Sequence, residues 1–97
     1  MFTPCDECKA LIKNQNAYLV DVRTPPEFEA QRLPGAINLP LQTLQQTAEQ
    51  ALEKDRPVVV FCRSGSRSQM AMQMLNQMGY EAVYNMGPYQ AWYQCED

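Results

Sequence analysis

One short apolar run, Val58–Phe61, constrains the fold of this chain more than any other feature. Because no polar residue marks a solvent-facing side, the run predicts a strand that is covered on both faces, as in a parallel sheet. Cys62 ends the run, and small or cationic residues at 63–68 lead into a helical pattern that reaches Met78. The segment therefore predicts a strand, a tight loop and a helix that begins at Ser66 or Arg67.

Strand and helix patterns alternate along the rest of the chain, which predicts an α/β fold: a central, mainly parallel sheet with helices on both faces. Thr3 as N-cap and Pro4 at the first position predict a helix that reaches Lys13. The other predicted elements are strands at 18–22, 37–40 and 81–84, helices at 24–29, 41–54 and 89–94, and a turn at 86–88. No linker or repeat is visible, so we expect one domain, residues 1–97.

Composition argues against several classes of function. The net charge of −3 disfavours a nucleic-acid or anionic-membrane partner. No apolar run approaches the ~20 residues of a membrane span, and the first residues lack the basic and apolar regions of a signal peptide. We therefore expect a cytoplasmic protein. The chain has no histidine, which excludes Cys–His dyads, Ser–His–Asp triads and His-ligated metal sites.

The four cysteines are too few to suggest a disulfide scaffold. We expect no metal site, because a zinc ion needs about four ligands and would here have to recruit Cys62, unless carboxylates such as Asp6 or Glu96 helped. A Cys5–Cys8 or Cys8–Cys95 disulfide is an alternative under oxidising conditions. Otherwise these three residues are ordinary cysteines of the terminal helices.

The loop after Cys62 has the composition of an anion site. Backbone N–H groups at a helix N-terminus, together with nearby cations, lower a cysteine pKa from its usual ~8.5. Glycine permits a backbone turn that other residues resist, and the serines are small and add hydroxyl donors. The residues concerned are Arg63, Ser64, Gly65, Ser66, Arg67 and Ser68. A cysteine that only packs in the core needs none of them, so we predict that Cys62 is a nucleophile.

The chain resembles the single-domain rhodanese family of sulfurtransferases on four segments, which occur in order across almost its whole length. They are Asp21–Phe28, Pro34–Pro40, the loop Cys62–Ser68 and Tyr84–Trp92. The chain departs from the family at Gln31–Leu33, where Gly-His-Ile is frequent, and at Gly87–Pro88, where a Gly-Gly pair is frequent. Neither departure touches the predicted nucleophile, although the first could alter substrate preference.

The resemblance implies the rhodanese-like three-layer sandwich and a two-step sulfur transfer. The Cys62 thiolate takes sulfur from thiosulfate or a similar small anionic donor and becomes a persulfide. A thiol, cyanide or the cysteine of a partner protein then accepts that sulfur, and no cofactor is required.

Five charged residues are predicted to support the site. Arg63 is the candidate for attracting the anionic end of the donor. Arg67 begins a helix, where a cation opposes the helix dipole, so we predict that it forms an ion pair with Glu27. Asp21 is expected to accept hydrogen bonds from the loop or the turn after its strand, and Arg23 to join a structural ion pair.

Two alternatives belong to other classes of function. A cysteine phosphatase or arsenate reductase would also use a cysteine, a loop and an arginine, but its loop places five residues between the two. Here four residues separate Cys62 from Arg67, which suits a sulfur atom better than a phosphate. The second alternative is an interaction module or a persulfide carrier that serves a partner protein.

Overall fold

A computed structural model describes residues 1–96 and shows an α/β fold around one four-stranded sheet. The strands are β1 (Tyr18–Asp21), β2 (Ile37–Asn38), β3 (Val58–Cys62) and β4 (Val83–Pro88). They lie in the order β2-β1-β3-β4, and each neighbouring pair is parallel. The predicted parallel sheet is therefore confirmed.

Helices cover both faces of this sheet. They are α1 (Cys5–Gln15), α2 (Pro25–Ala30), α3 (Leu44–Ala51) and α4 (Ser66–Gln77), with 3₁₀ helices at Leu41–Thr43 and Tyr89–Gln94. The predicted helix at 41–54 is thus shorter than expected and begins with a 3₁₀ turn. No helix among residues 1–96 is both long enough and apolar enough to span a membrane.

Strand β3 lies at the centre of the molecule, and its side chains alternate between two cores. Val58, Val60 and Cys62 pack in the core that also holds buried residues of α3 and α4. Val59 and Phe61 point to the other core, which α1 covers. All five side chains are fully buried, and burying each large apolar one contributes about 1.5–3 kcal/mol. This is why β3 carries no polar position.

Two predictions about the chain near β4 are wrong. Helix α1 begins at Cys5 with Pro4 as its N-cap, and Thr3 instead donates its N–H to the carbonyl of Asn85 at 2.7 Å. Residues 86–88 belong to β4 and do not form a turn. The strand continues because a bulge at Met86 shifts its register, and Gly87 adopts the left-handed φ of +88° that the bulge requires.

The terminal cysteines also differ from both predicted pairings. Cys5 is joined to Cys95 by a disulfide with a Cα–Cα distance of 6.2 Å, which is within the range that a disulfide spans. Cys8 is a free, fully buried thiol whose S–H donates to the Thr3 carbonyl at 3.6 Å. The pairing follows from tertiary structure, because the first turn of α1 packs against the C-terminal 3₁₀ helix.

Candidate active site

Cys62 is the last residue of β3, and only three residues separate it from the start of α4. Its side chain is fully buried. The chain reverses at Gly65, the N-cap of α4, which has a φ of +104°. A side chain there would be strained, so glycine is the residue that allows the loop to close around the sulfur.

Two backbone N–H donors and one hydroxyl of the loop surround the sulfur of Cys62. The Gly65 N–H lies 2.9 Å from Sγ, and the Ser68 N–H lies 3.4 Å away. The Cys62 S–H donates to the Ser68 hydroxyl oxygen at 3.5 Å, and that hydroxyl donates to the Gly65 carbonyl at 3.1 Å. The hydroxyl can therefore turn to donate to the sulfur when Cys62 loses its proton.

The environment lowers the pKa of Cys62 below its usual value. Burial alone raises this pKa, because it disfavours the charged thiolate, but hydrogen bonds outweigh burial. They come from the Ser68 side chain and from the backbone N–H groups of Ser68, Gly65 and Ser64. The loop thus stabilises negative charge on this sulfur without any neighbouring histidine.

Cys8 shows what burial does without such a loop. It is as buried as Cys62, yet burial, followed by repulsion from Glu7 and Asp6, raises the pKa of its thiol to about 12. The two free cysteines are therefore chemically distinct. Only Cys62 lies where a thiolate is stabilised.

The predicted ion pair between Arg67 and Glu27 is present and joins α4 to α2. Two terminal nitrogens of Arg67 donate to the two Glu27 oxygens, at 2.8 and 3.1 Å. Glu27 also forms a capping box with Thr24 at the start of α2. The Arg67 hydrogen bonds, followed by the Thr24 N–H, lower the pKa of Glu27 to about 2. Arg67 thereby fixes the first turn of α4.

Asp21 and Arg23 form a second, buried ion pair at the end of β1. Asp21 Oδ2 accepts a hydrogen bond from Arg23 Nη2 at 2.7 Å, and Oδ1 accepts one from the Arg23 N–H at 2.9 Å. The Arg23 guanidinium also stacks on the ring of Tyr89, 4.8 Å from its centroid. Asp21 accordingly bonds to the turn that follows its strand, and in the described part of the chain its carboxylate accepts no hydrogen bond from the Cys62 loop.

Arg63 differs from the other arginines of the site. Its side chain is exposed, and within residues 1–96 the structure shows no ion pair or hydrogen bond for its guanidinium. Ser64 and Ser66, which flank Gly65, are also exposed, with their hydroxyls 3.3 Å apart. Arg63 is thus available to an anion that approaches the loop.

Sequence reasoning missed one residue beside the loop, Phe2. Its ring lies so close to Gly65 that a Cβ atom there would stand 2.3 Å from Phe2 Cζ, and a Cβ at Gly87 would stand 2.6 Å from Cδ2. Nothing in the local sequence signals this contact, because Phe2 is sixty residues from Cys62. Both glycines therefore also make room for an aromatic ring.

Among residues 1–96, no group of three or more potential metal-ligating side chains is brought together. The thiolate and the loop around it are what the site offers chemically: a nucleophile, a ring of N–H donors and an unpaired cation.

Comparison with known proteins agrees with this geometry. A family model for the rhodanese-like domain matches residues 4–95. The thiosulfate sulfurtransferase GlpE of Vibrio cholerae is 39% identical over 88 residues, which cover 90% of this chain and 82% of that protein. A sulfurtransferase of Allochromatium vinosum is 40% identical over 76 residues, or 78% of this chain and 70% of that protein. The solved structure of the human single-domain sulfurtransferase TSTD1 superposes with a TM-score of 0.84 at 29% identity, covering 99% of this chain and 97% of its own.

Proposed function

The chain belongs to the rhodanese-like domain family, and we propose on that premise that it transfers a sulfane sulfur through a persulfide on Cys62. The donor is thiosulfate or a similar small anion, and the acceptor is a small thiol, cyanide or the cysteine of a partner protein. Relatives named thiosulfate sulfurtransferase support this choice of donor.

The first step is a displacement at sulfur. The Cys62 thiolate attacks the outer sulfur of thiosulfate, a new S–S bond forms, and the S–S bond of thiosulfate breaks as sulfite leaves with the electron pair. In the second step, the acceptor thiolate or cyanide attacks the terminal sulfur of the persulfide. Cys62 leaves as a thiolate, so no oxidant or reductant is consumed and ping-pong kinetics follow.

The observation that carries the proposal is the convergence of N–H groups on Sγ. The 2.9 Å contact from Gly65 and the 3.4 Å contact from Ser68 stabilise a thiolate, which is the nucleophile of the first step and the leaving group of the second. Donors fixed in place by the fold need no reorganisation during the reaction. In this mechanism the residues 63–68 bind the sulfur and the donor, with Arg63 facing the anion.

Asp21, Arg23 and Glu27 support the site indirectly in this proposal. Glu27 holds Arg67 at the start of α4, and the Asp21–Arg23 pair holds the turn after β1. Within residues 1–96, none of the three forms a hydrogen bond with Cys62 Sγ. Their effect on catalysis is therefore expected to pass through the position of the loop.

The phosphatase or arsenate reductase alternative has less support. Such an enzyme needs its loop arginine to hold the oxyanion, but Arg67 already gives two nitrogens to Glu27. A persulfide carrier that serves a partner protein remains compatible with the same chemistry. The proposed location is the cytoplasm, where a reducing environment keeps a catalytic thiol such as Cys62 available and would also reduce the Cys5–Cys95 bond.

Intact-protein mass spectrometry after brief incubation with thiosulfate tests the proposal. We expect a gain of one sulfur atom that a reductant removes, that Cys62→Ser abolishes and that the control Cys8→Ala retains. A gain of equal size in Cys62→Ser, or no gain in the native protein, would contradict the mechanism. A persulfide that forms but turns over slowly with cyanide and small thiols would favour the carrier.

A further inference from the structure

The segment before α1 lies across the Cys62 loop and places Phe2 on it. The Phe2 ring fills the space above Gly65 and Gly87. A Cβ atom would lie 2.3 Å from the ring if it were added to Gly65, and 2.6 Å from the ring if it were added to Gly87. Gly65 is the residue whose N–H is 2.9 Å from Cys62 Sγ. The ring therefore packs on a residue that is itself in contact with the sulfur of Cys62.

The backbone on the C-terminal side of Phe2 is held in place. The Thr3 N–H donates to the Asn85 carbonyl at 2.7 Å, and the Thr3 carbonyl accepts the S–H of Cys8. Two residues further on, Cys5 is tied to Cys95 by the disulfide. These contacts with β4 and with Cys95 fix the backbone next to the ring, and Phe2 as a whole residue is 45% exposed.

A molecule that reacts with Cys62 must approach past the residues that cover it, because the cysteine side chain is fully buried. Apart from Arg63, which is exposed, and Arg67, which is paired with Glu27, the loop contributes only small side chains. Phe2 adds a large, uncharged and rigid side chain, which packs against Gly65 of the loop. An aromatic ring limits the width of an approach path at little cost in conformational entropy.

We propose that Phe2 is a specificity-determining residue: its ring forms one wall of the approach to Cys62 and limits the size of the donors and acceptors that reach the sulfur. The assignment of donors and acceptors rests on the proposed sulfur transfer. The access of reagents to Cys62 does not rest on it. Small donors such as thiosulfate pass the ring, whereas bulky thiols react more slowly than their nucleophilicity predicts.

Alkylation of Cys62 by a small and a large reagent tests this proposal. The rate constants for iodoacetamide and for fluorescein-5-maleimide are measured at one pH without reductant, and peptide mass spectrometry assigns the modified residue. We expect Phe2→Ala to raise the ratio of the large-reagent rate to the small-reagent rate at least about fivefold, or about 1 kcal/mol in activation free energy. Phe2→Trp should leave the ratio at or below the native value.

Two controls distinguish a steric effect of Phe2 on access to Cys62 from a general effect on folding. Tyr93→Ala removes another exposed aromatic side chain and should leave the ratio unchanged. Phe2→Leu keeps an apolar contact with the glycines and should give an intermediate ratio. If Phe2→Ala raises both rates by the same factor, or changes neither, the proposal is wrong.

The outcome is distinguishable from a failure of the sulfurtransferase proposal. If thiosulfate leaves no sulfur on Cys62, the proposed function fails, while the alkylation ratio still reports whether Phe2 limits access. If the persulfide forms and the ratio does not change in Phe2→Ala, sulfur transfer stands and the role of Phe2 is overturned.

Discussion

At the scale of single residues, hydrogen bonding rather than burial decides which of the two free cysteines has a lowered pKa. Cys62 and Cys8 are equally buried, but only Cys62 receives N–H and hydroxyl donors from a loop. Burial without such donors raises the pKa of Cys8 to about 12. The reactivity of the site should therefore respond to removal of individual donors.

Ser68→Ala removes the hydroxyl that lies 3.5 Å from Sγ and that can donate to the thiolate. We expect the pKa of Cys62 to rise, because the thiolate loses a hydrogen bond and burial still disfavours its charge. The pH profile of Cys62 alkylation by iodoacetamide measures this change. Ser66→Ala, which removes an exposed hydroxyl from the same helical turn, is the control and should keep the native profile. An unshifted profile in Ser68→Ala would show that the N–H groups alone stabilise the thiolate.

Arg63→Ala removes the exposed, unpaired cation of the loop. We expect the KM for thiosulfate to rise about fivefold at low ionic strength and less at high salt, because an exposed charge attracts an anion through a screened interaction. The alkylation rate with neutral iodoacetamide should stay unchanged. Arg32→Ala, which removes an exposed arginine paired with Glu29, is the control. An unchanged KM at low salt would exclude a role for Arg63 in donor binding.

At the scale of elements, one ion pair joins the two helices that flank the site. Glu27 lies in α2 and Arg67 in the first turn of α4, and about 30% of each side chain is exposed. The pair offsets the unfavourable interaction between the Arg67 charge and the dipole at the N-terminus of α4. It also connects the loop to the segment after β1. We therefore expect it to contribute to stability, and that contribution to depend on pH.

Glu27→Gln should lower the free energy of unfolding at pH 7 by about 1–2 kcal/mol, because charge-assisted hydrogen bonds are lost. The folded-state pKa of Glu27 is about 2, below its ordinary value of 4.5. The contribution is thus present above pH 4.5 and is lost as the pH falls towards 2. Urea unfolding at several pH values should show the two proteins converging in acid. Glu29→Gln, in a more exposed pair, should cost less, and a gap that persists at pH 2 would contradict this account.

At the scale of the whole molecule, the Cys5–Cys95 disulfide closes almost the entire chain, with a sequence separation of 90 residues. A cross-link over so long a loop restricts the unfolded chain strongly, and such bonds typically contribute about 2–4 kcal/mol. We expect reduction to lower the free energy of unfolding by that amount. Urea unfolding with and without dithiothreitol measures it. The Cys5→Ser/Cys95→Ser variant should be insensitive to the reductant, and equal stability of the oxidised and reduced native protein would contradict the prediction.

The chemistry of the candidate site was predictable because it is local. The thiol, its N–H donors and the start of α4 all lie within residues 62–68, so composition and spacing indicate an anion-stabilising loop before any tertiary contact is known. The alternation of strands and helices and the unbroken apolar β3 likewise predicted the parallel sheet. The catalytic role of Cys62 stays a prediction until the persulfide is measured.

Tertiary structure alone decided the features that join distant parts of the chain. The Phe2 ring over Gly65 and the Cys5–Cys95 bond depend on how the two terminal segments pack, and the bulge at Met86 depends on how β4 pairs with β3. No local pattern encodes them, because each arises from residues that are close in space and remote in sequence. The sequence by itself therefore determined the anion-stabilising loop and the sheet that presents it. The packing of the termini determined what covers that loop.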